Sequence, residues 1–143
     1  MLKKKIEEDL VSTRVKYYMV QSLNTKVDLV MDGTSFLGLP NYGEIMIGDK
    51  AFEFYNDRDV NKFVQIPWEE VECVVATVVF KGKWIPRFAI QTKKNGTYQF
   101  AAKNPKQLLR AMQAYVNPKK MVRALSFFQM ITRGIKGTLN KKK

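Results

Sequence analysis

Hydrophobic and polar positions alternate in short runs through the middle of the chain, a pattern that predicts β-strands. The first run begins at Val27, and six further runs cover residues 44–48, 51–55, 63–68, 71–80, 84–92 and 97–101. Because successive side chains of a strand point to opposite faces of a sheet, Phe52 and Phe54 are predicted to share the inner face. Glu53 between them is predicted to face outward.

Turn signals separate these runs. Gly48-Asp-Lys is predicted to be a hairpin turn, Lys81-Gly-Lys joins two further runs, and Asn95-Gly96 is the strongest hairpin signal because both residues tolerate positive φ. About seven strands with connections of roughly two to six residues predict an antiparallel sandwich or small barrel, and therefore a mainly β protein.

The periodicity becomes helical after residue 104. Asn104-Pro105 supplies a helix N-cap followed by proline at the first helical position. Apolar residues then recur at helical spacing at Leu108, Leu109, Met112, Tyr115 and Val116, which predicts a helix of about a dozen residues packed on the barrel. Asn117-Pro118 is predicted to end this helix and to start a second, amphipathic one.

Charge changes this picture, because the net charge of +12 is concentrated near the C-terminus. Residues 104–143 contain ten Lys or Arg and no Asp or Glu, whereas residues 19–103 contain ten basic and ten acidic side chains. A neutral body with a cationic, apolar-patterned C-terminal segment is typical of a module that docks on a negatively charged partner.

The second predicted helix is the main candidate binding surface. Its apolar side chains could pack on the barrel as ordinary core, with the lysines in solvent. Alternatively, the helix lies on the anionic cytoplasmic leaflet or on the cytoplasmic face of a membrane protein, where each cation contributes about 1 kcal/mol. The predicted membrane- or partner-binding residues are Lys119, Lys120, Arg123, Leu125, Phe127, Phe128, Arg133 and Lys136.

A second cationic cluster surrounds the turn at residues 81–83. It comprises Lys81, Lys83, Trp84 and Arg87, and it is a secondary candidate surface for a phosphate group. The alternative is a solvated turn whose tryptophan covers the mouth of the barrel. Pro86 cannot donate a ladder hydrogen bond, so this part of the strand is predicted to be an edge, open to a peptide strand, or a bulge.

Catalytic chemistry has little support in the sequence. Histidine is absent, and the single cysteine, Cys73, therefore has no histidine partner and is predicted to be a small buried hydrophobe. Glu69 and Glu70 are neighbours on a predicted strand and would face opposite ways. The sequence thus predicts a protein that is not an enzyme, with no catalytic residue, no cofactor and no metal site.

No apolar run approaches the roughly 18 residues that a membrane-spanning helix needs. The N-terminal residues have no apolar stretch typical of a signal peptide. We therefore expect a cytoplasmic protein, peripheral at the inner face of the plasma membrane.

Two stretches resemble the pleckstrin-homology (PH)-like and GRAM-like domains of bacteria. Ile66-Pro-Trp-Glu-Glu-Val-Glu-Cys-Val resembles their tryptophan-bearing strand, and residues 98–109 resemble their last strand and following helix. The resemblance covers residues 26–116. It implies a PH-like antiparallel barrel of about seven strands, capped by a C-terminal helix.

A more specific resemblance rests on strings such as Gly38-Leu-Pro-Asn-Tyr-Gly, Phe80-Lys-Gly-Lys-Trp-Ile-Pro-Arg-Phe and Met121-Val-Arg-Ala-Leu-Ser-Phe-Phe. They are similar to those of proteins encoded with mannose-class phosphotransferase (PTS) operons in Gram-positive bacteria. These proteins are often labelled ManO or mannose operon regulators and carry domain of unknown function 956. The resemblance covers residues 19–143, implies an association with sugar uptake, and brings no catalytic residue.

Three parts of the chain are predicted. Residues 1–18 are an N-terminal extension or follow a mis-called start, with Met19 as the true start. Residues 19–116 form the PH-like domain, and residues 117–143 form the basic amphipathic helix and lysine tail.

The predicted function is that of a non-enzymatic accessory or regulatory module of a mannose-class PTS transporter. The C-terminal helix would dock on the transporter's membrane subunits or on the anionic membrane surface. The alternative is a transcriptional regulator of the same operon that binds nucleic acid. It is less favoured because no helix-turn-helix, zinc finger or RRM motif is recognisable.

Overall fold

A computed structural model describes residues 21–59 and 61–124, which form eight strands and one α-helix. The seven strands expected from the alternation are present. The strands are β1 Val27–Ser35, β2 Asn41–Gly48, β3 Ala51–Asn56, β4 Phe63–Pro67, β5 Val71–Val79, β6 Trp84–Thr92, β7 Thr97–Ala102 and β8 Met121–Arg123. Helix α1, Pro105–Met112, lies between β7 and β8.

The strands form one mixed sheet in the order β4-β3-β2-β1-β7-β6-β5-β8. All pairs are antiparallel except β5 and β8, which run parallel. Strands β4 and β8 form the two edges, so the sheet of the described residues is not closed. The prediction of a mainly β protein is confirmed, but the predicted barrel is not observed, because closure requires the edge strands to pair with each other.

The second helix predicted after Asn117 is not found where it should begin. Asn117 accepts a hydrogen bond from the Lys119 N–H at 2.9 Å, as a cap would, but the helix is a single 3₁₀ turn, Pro118–Lys120. The chain then extends and pairs with β5, Met121 opposite Val74 and Arg123 opposite Ala76. This pairing supplies hydrogen-bond partners for the free N–H and C=O groups at the edge of β5. Helical periodicity in the sequence of residues 118–136 cannot reveal that need, because it arises from a distant strand. Residues 125–143 of this prediction, and the extension 1–18, lie outside the described residues.

Helix α1 begins as predicted and ends early. Asn104 accepts the Gln107 N–H at 3.3 Å, and Pro105 occupies the first turn. Leu108 and Met112 are fully buried against the sheet. After Met112 the chain makes i to i+3 bonds, such as Tyr115 N–H to Met112 O at 3.0 Å, which tighten the end into turns.

Aromatic side chains dominate the core beneath this helix. The ring of Phe52 lies 4.7 Å from that of Phe100 and 6.1 Å from that of Phe88, measured between centroids. All three side chains are at most 1% exposed. They come from β3, β7 and β6, so one aromatic cluster joins the two halves of the sheet.

Glu53, predicted to face outward, is completely buried. Its carboxyl accepts hydrogen bonds from the Ser22 hydroxyl, the Leu23 N–H at 2.9 Å, the Asn24 amide at 2.8 Å and the Tyr55 hydroxyl at 3.1 Å. The segment before β1 covers this face of β3 and excludes water. Four donors compensate the carboxyl group for the hydration that it loses.

Asn24 fixes the same segment to the β2–β3 hairpin. Its side-chain oxygen accepts the N–H groups of Lys50 and Ala51, both at 2.8 Å, and its amide nitrogen donates to Ala51 O at 3.1 Å. This approach requires glycine at position 48, because a Cβ there would lie 2.4 Å from Asn24 Cγ. Segment 22–24 and the hairpin are thus one hydrogen-bonded unit.

We predict that Glu53→Ala lowers the free energy of unfolding by about 3 kcal/mol or more. The substitution leaves several buried donors without an acceptor, at about 1–3 kcal/mol for each group. Urea denaturation measures the change. Glu69→Ala, at an exposed position, is the control and should change stability by less than about 0.5 kcal/mol. Equal stability of the two variants would contradict the role assigned to Glu53.

We also predict an acid-sensitive contribution from Asp49 in the β2–β3 turn. Burial opposes its ionisation, but hydrogen bonds from the Thr25 hydroxyl and the N–H groups of Lys26 and Thr25 outweigh burial and lower its pKa to about 2. A lowered pKa stabilises the fold above the unfolded value of about 3.9, and this stabilisation is lost as the pH falls towards 2. Urea midpoints of wild type and Asp49→Asn should therefore differ most above about pH 4 and converge below it.

Candidate functional site

The charges of the folded domain are separated in sequence and in space. Glu72 is the last acidic residue of the chain. Residues 21–72 carry four basic and ten acidic side chains, whereas residues 73–124 carry eleven basic side chains and no acidic ones. We call these segments the acidic half and the cationic half.

The sheet order keeps the two halves apart. Strands β1 to β4 of the acidic half are contiguous, and β7, β6, β5 and β8 follow them on the other side of the sheet. Strand β5 begins in the acidic half, with Glu72 at the end away from the β5–β6 hairpin. Helix α1 also belongs to the cationic half. The sum over residues 19–103 is neutral, as expected, but it conceals a polarity, with a net charge of −6 over residues 21–72 and of +6 over residues 73–103. Residues 104–124 add five further cations to the second group. Such a domain orients itself in the field of a charged partner.

The hairpin between β5 and β6 carries two exposed aromatic side chains. Phe80 is 70% exposed and Trp84 is 53% exposed. Their rings stack with centroids 6.1 Å apart and planes inclined by 16°. Lys81 and Lys83, two of the predicted residues, lie between them and are exposed. We call residues 80–84 the hairpin tip.

The backbone of the hairpin tip is strained. Phe80 and Lys81 have φ of 53° and 56°, a left-handed conformation that costs a non-glycine residue roughly 1–2 kcal/mol. Gly82 follows at φ 89°, and the Lys83 N–H donates to Phe80 O at 3.1 Å. The tight turn therefore holds a large apolar side chain in solvent at an energetic cost.

Arg87 is not part of the hairpin tip. Its guanidinium lies 4.0 Å above the ring centroid of Phe36, which holds it on the outer face of the sheet. Thr77 pairs with Arg87 and Val79 with Trp84, so β6 has one residue more than β5 in this interval. The bulge predicted at Pro86 is confirmed. The predicted edge is present locally, because β6 lies between β5 and β7 but pairs with β7 over residues 88–91, which leaves residues 84–87 open on that side.

Of the described members of the predicted C-terminal set, Arg123 lies nearest the hairpin tip. Lys119 and Lys120 precede Met121, which is opposite Val74, and so lie farther from the tip. Lys119 and Lys120 are exposed in the 3₁₀ turn, and Arg123 is exposed at the end of β8. Arg123 is level with Ala76, three residues before β5 ends at Val79, a distance of roughly 10 Å along the strand. Because β8 runs parallel to β5, it is directed towards the hairpin end of the sheet. Leu125, Phe127, Phe128, Arg133 and Lys136 lie outside the described residues.

An apolar groove of about 220 Å³ joins these features. It runs between β5, β6, β8 and helix α1, with Gly82 of the hairpin tip and Arg123 of β8 both in its lining. Val78, Ile85, Leu109 and Met121 supply apolar walls. The structure thus brings the hairpin tip and the start of the C-terminal segment together, two surfaces that the sequence presented separately.

Sequence reasoning missed Phe80 and the position of the charge boundary. Phe80 was assigned to the end of a strand, and only the turn geometry exposes it. The charge boundary is visible in the sequence, because no acidic residue follows Glu72. Counting the charges separately for residues 19–103 and 104–143 concealed it.

The titratable groups outside this surface have structural roles. Burial and the neighbouring Glu72 raise the pKa of Cys73, whose half-buried thiol donates to Gln91 Oε1 at 3.2 Å. Burial and the acceptor Asp28 raise the pKa of Tyr115 to about 12. Glu69 and Glu70 lie in a 3₁₀ turn rather than a strand. Within residues 21–59 and 61–124, no cluster of three or more Cys, Asp or Glu could hold a metal ion.

The two tryptophans have different environments. Trp68 is stacked on Tyr115 with centroids 5.2 Å apart, and its indole N–H donates to Gly48 O at 2.8 Å. Trp68 therefore serves packing, whereas Trp84 is presented to solvent. Within the described part of the chain, no helix is both long enough and apolar enough to cross a membrane.

The chain belongs to the family described as a domain of unknown function, DUF956, which matches residues 19–135. No curated protein matches the chain. Among solved structures, the C-terminal domain of an unknown protein from Leishmania infantum is similar in fold, with a TM-score of 0.58 and 15% identity over 70% of this chain and 91% of that one. The hSac2 domain from human phosphoinositide phosphatase Sac2 matches at a TM-score of 0.47 and 17% identity, over 81% of this chain and 87% of that one.

The exposure of the two tryptophans can be tested by fluorescence. We predict that Trp68→Phe, which leaves Trp84, gives red-shifted emission that acrylamide quenches efficiently. Trp84→Phe, which leaves Trp68 stacked and hydrogen-bonded, should give bluer emission that is quenched several-fold less. Equal quenching constants would contradict the environments described.

Proposed function

We propose that this protein is a non-enzymatic accessory module of a mannose-class PTS transporter. It docks on the cytoplasmic membrane face of the transporter through its cationic half and the basic segment that follows β8. The PH-like assignment is part of the proposal, with strands β1 to β7 and helix α1 as the scaffold. The proposal rests on one observation above all, the separation of charge between the two halves of the sheet.

Charge separation favours an extended anionic surface over a small ligand. Of the eleven cations of residues 73–124, one lies on β6, one on β8 and two on helix α1, and the other seven lie in the connecting turns. Each cation close to an anionic leaflet contributes about 1 kcal/mol, so a handful of engaged side chains supports reversible binding. The acidic half would be repelled by the same surface, and repulsion fixes the orientation of the domain.

The basic segment extends the cationic surface. Residues 125–143 add five Lys or Arg and no acid, together with apolar Leu125, Phe127 and Phe128. The direction of β8 supports joint use of this segment and the hairpin tip. The transporter as partner is supported by the resemblance to ManO-like proteins, within the DUF956 family to which the chain belongs.

A charge-matched pair of variants tests the proposal. The first is Lys119→Gln/Lys120→Gln/Arg123→Gln in the cationic half, and the control is Lys50→Gln/Arg58→Gln/Lys62→Gln in the acidic half. All six positions are exposed, and both variants lose three positive charges. We expect the first to reduce co-sedimentation with transporter-containing membrane vesicles by about tenfold or more, and the control to have little effect.

The partner is identified by vesicles from cells that lack the transporter's membrane subunits. Loss of binding there supports the transporter as the docking site. Undiminished binding would overturn that part of the proposal, and equal recovery of the two charge variants would overturn the role of the cationic half. Sequence-specific binding to a promoter fragment that survives a salt series would favour the transcriptional regulator instead.

A further inference from the structure

We infer that the hairpin tip is a membrane wedge, in which Phe80 and Trp84 enter the interface of an anionic bilayer while Lys81 and Lys83 contact lipid phosphates. The inference rests on the membrane placement in the proposed function. It adds a direct lipid contact that would occur without any transporter subunit.

The first support is the presentation of the two rings. Phe80 and Trp84 are 70% and 53% exposed and lie side by side at a turn. The side chains stack on each other, so they enter an apolar phase as one compact body without prior rearrangement. Tryptophan is enriched at membrane interfaces because its ring is apolar and its N–H remains hydrated.

The second support is the backbone of the turn. Positive φ at Phe80 and Lys81 is unfavourable for folding, and the exposed Phe80 side chain returns little burial in compensation. Strain that folding does not explain is typical of positions maintained for binding. At this turn it directs an apolar ring away from the protein.

The third support is the charge around the rings. Lys81 and Lys83 alternate with the aromatic residues, and neither β6 nor β8, on either side of β5, carries an acidic residue. Lysine can bury its methylenes beside an apolar surface while its ammonium reaches phosphate. This arrangement fits anionic phospholipid and discriminates against neutral lipid.

A peptide or a nucleic acid fits the hairpin tip less well. Residues 80–83 form a tight turn and offer a peptide strand no extended ladder, and farther along β5 residues 74–76 are already paired with β6 and β8. A nucleic-acid base would need a free aromatic face on which to stack. The Phe80–Trp84 stack already occupies one face of each ring.

Trp84 provides a direct reporter. In full-length Trp68→Phe protein, Trp84 is the remaining tryptophan, since the chain contains two. We expect its emission to shift to shorter wavelength on protein-free phosphatidylglycerol vesicles and to be quenched by brominated acyl chains, with no change on phosphatidylcholine. Trp68, observed in Trp84→Phe protein, should not be quenched. Absence of quenching of Trp84 on anionic vesicles would overturn the inference.

Substitutions test each part of the wedge. Phe80→Ser and Trp84→Ser should each weaken binding to anionic vesicles about tenfold. The matched control is Leu39→Ser in the β1–β2 loop, which removes an 85% exposed apolar side chain from the acidic half. Lys81→Gln/Lys83→Gln should weaken binding more than Lys93→Gln/Lys94→Gln, an exposed pair in the β6–β7 turn with the same loss of charge. Binding equal to that of the controls would overturn the inference.

The outcomes for the wedge and for the proposed function are separable. Binding to transporter-containing membranes together with no binding to protein-free anionic vesicles would overturn the wedge and leave the transporter module. Trp84 insertion into pure lipid together with transporter-independent binding to membranes would support the wedge and overturn the transporter as the docking site. Urea midpoints of the five variants should match the wild type, because all the altered side chains are exposed.

Discussion

A buried carboxyl group needs hydrogen-bond donors, and the side chain of Glu53 imposes this requirement on the acidic half of the protein. Ser22, Leu23 and Asn24 supply three of its four donors, so the segment before β1 must cover β3. Asn24 then holds the β2–β3 hairpin, and Gly48 leaves space for it. The arrangement specifies register as well as stability, because a slip of one residue in β3 would place an apolar ring among these donors. The aromatic cluster on the other face of β3 remains in contact with β6 and β7 for the same reason.

The opposite side of the sheet has a different organisation. Apart from Glu72 near the start of β5, its strands carry no acid. It also has a strained turn with two exposed rings and an added parallel strand directed towards that turn. A stable scaffold that presents a polarised surface needs no catalytic group to be useful. Placement at a charged boundary is the role that we propose for such an arrangement, and the transporter as partner rests on the resemblance to ManO-like proteins.

The sequence predicted the strands because each has a local signature. Alternation located β3, β6 and β7 to within one residue, and Asn104-Pro105 located the start of helix α1. Met121-Val-Arg has no such signature, since three residues fit a helix or a strand equally well, and the open edge of β5 decided between them. The prediction that Glu53 faces outward was wrong for a related reason. Alternation gives the face on which a side chain lies, but it does not reveal whether another segment covers that face.

The sequence by itself determined seven of the eight strands of the described residues, the positions of the turns and the helix cap, and the accumulation of basic residues towards the C-terminus. These properties depend on neighbours within a few positions or on simple counts. Tertiary structure alone decided that the sheet stays open, that Glu53 is buried, and that Phe80 and Trp84 stack in solvent beside the end of β8. Each of these depends on contacts between segments distant along the chain. Folding thus placed a second cationic and aromatic element, the hairpin tip, at the end of the sheet towards which β8 is directed.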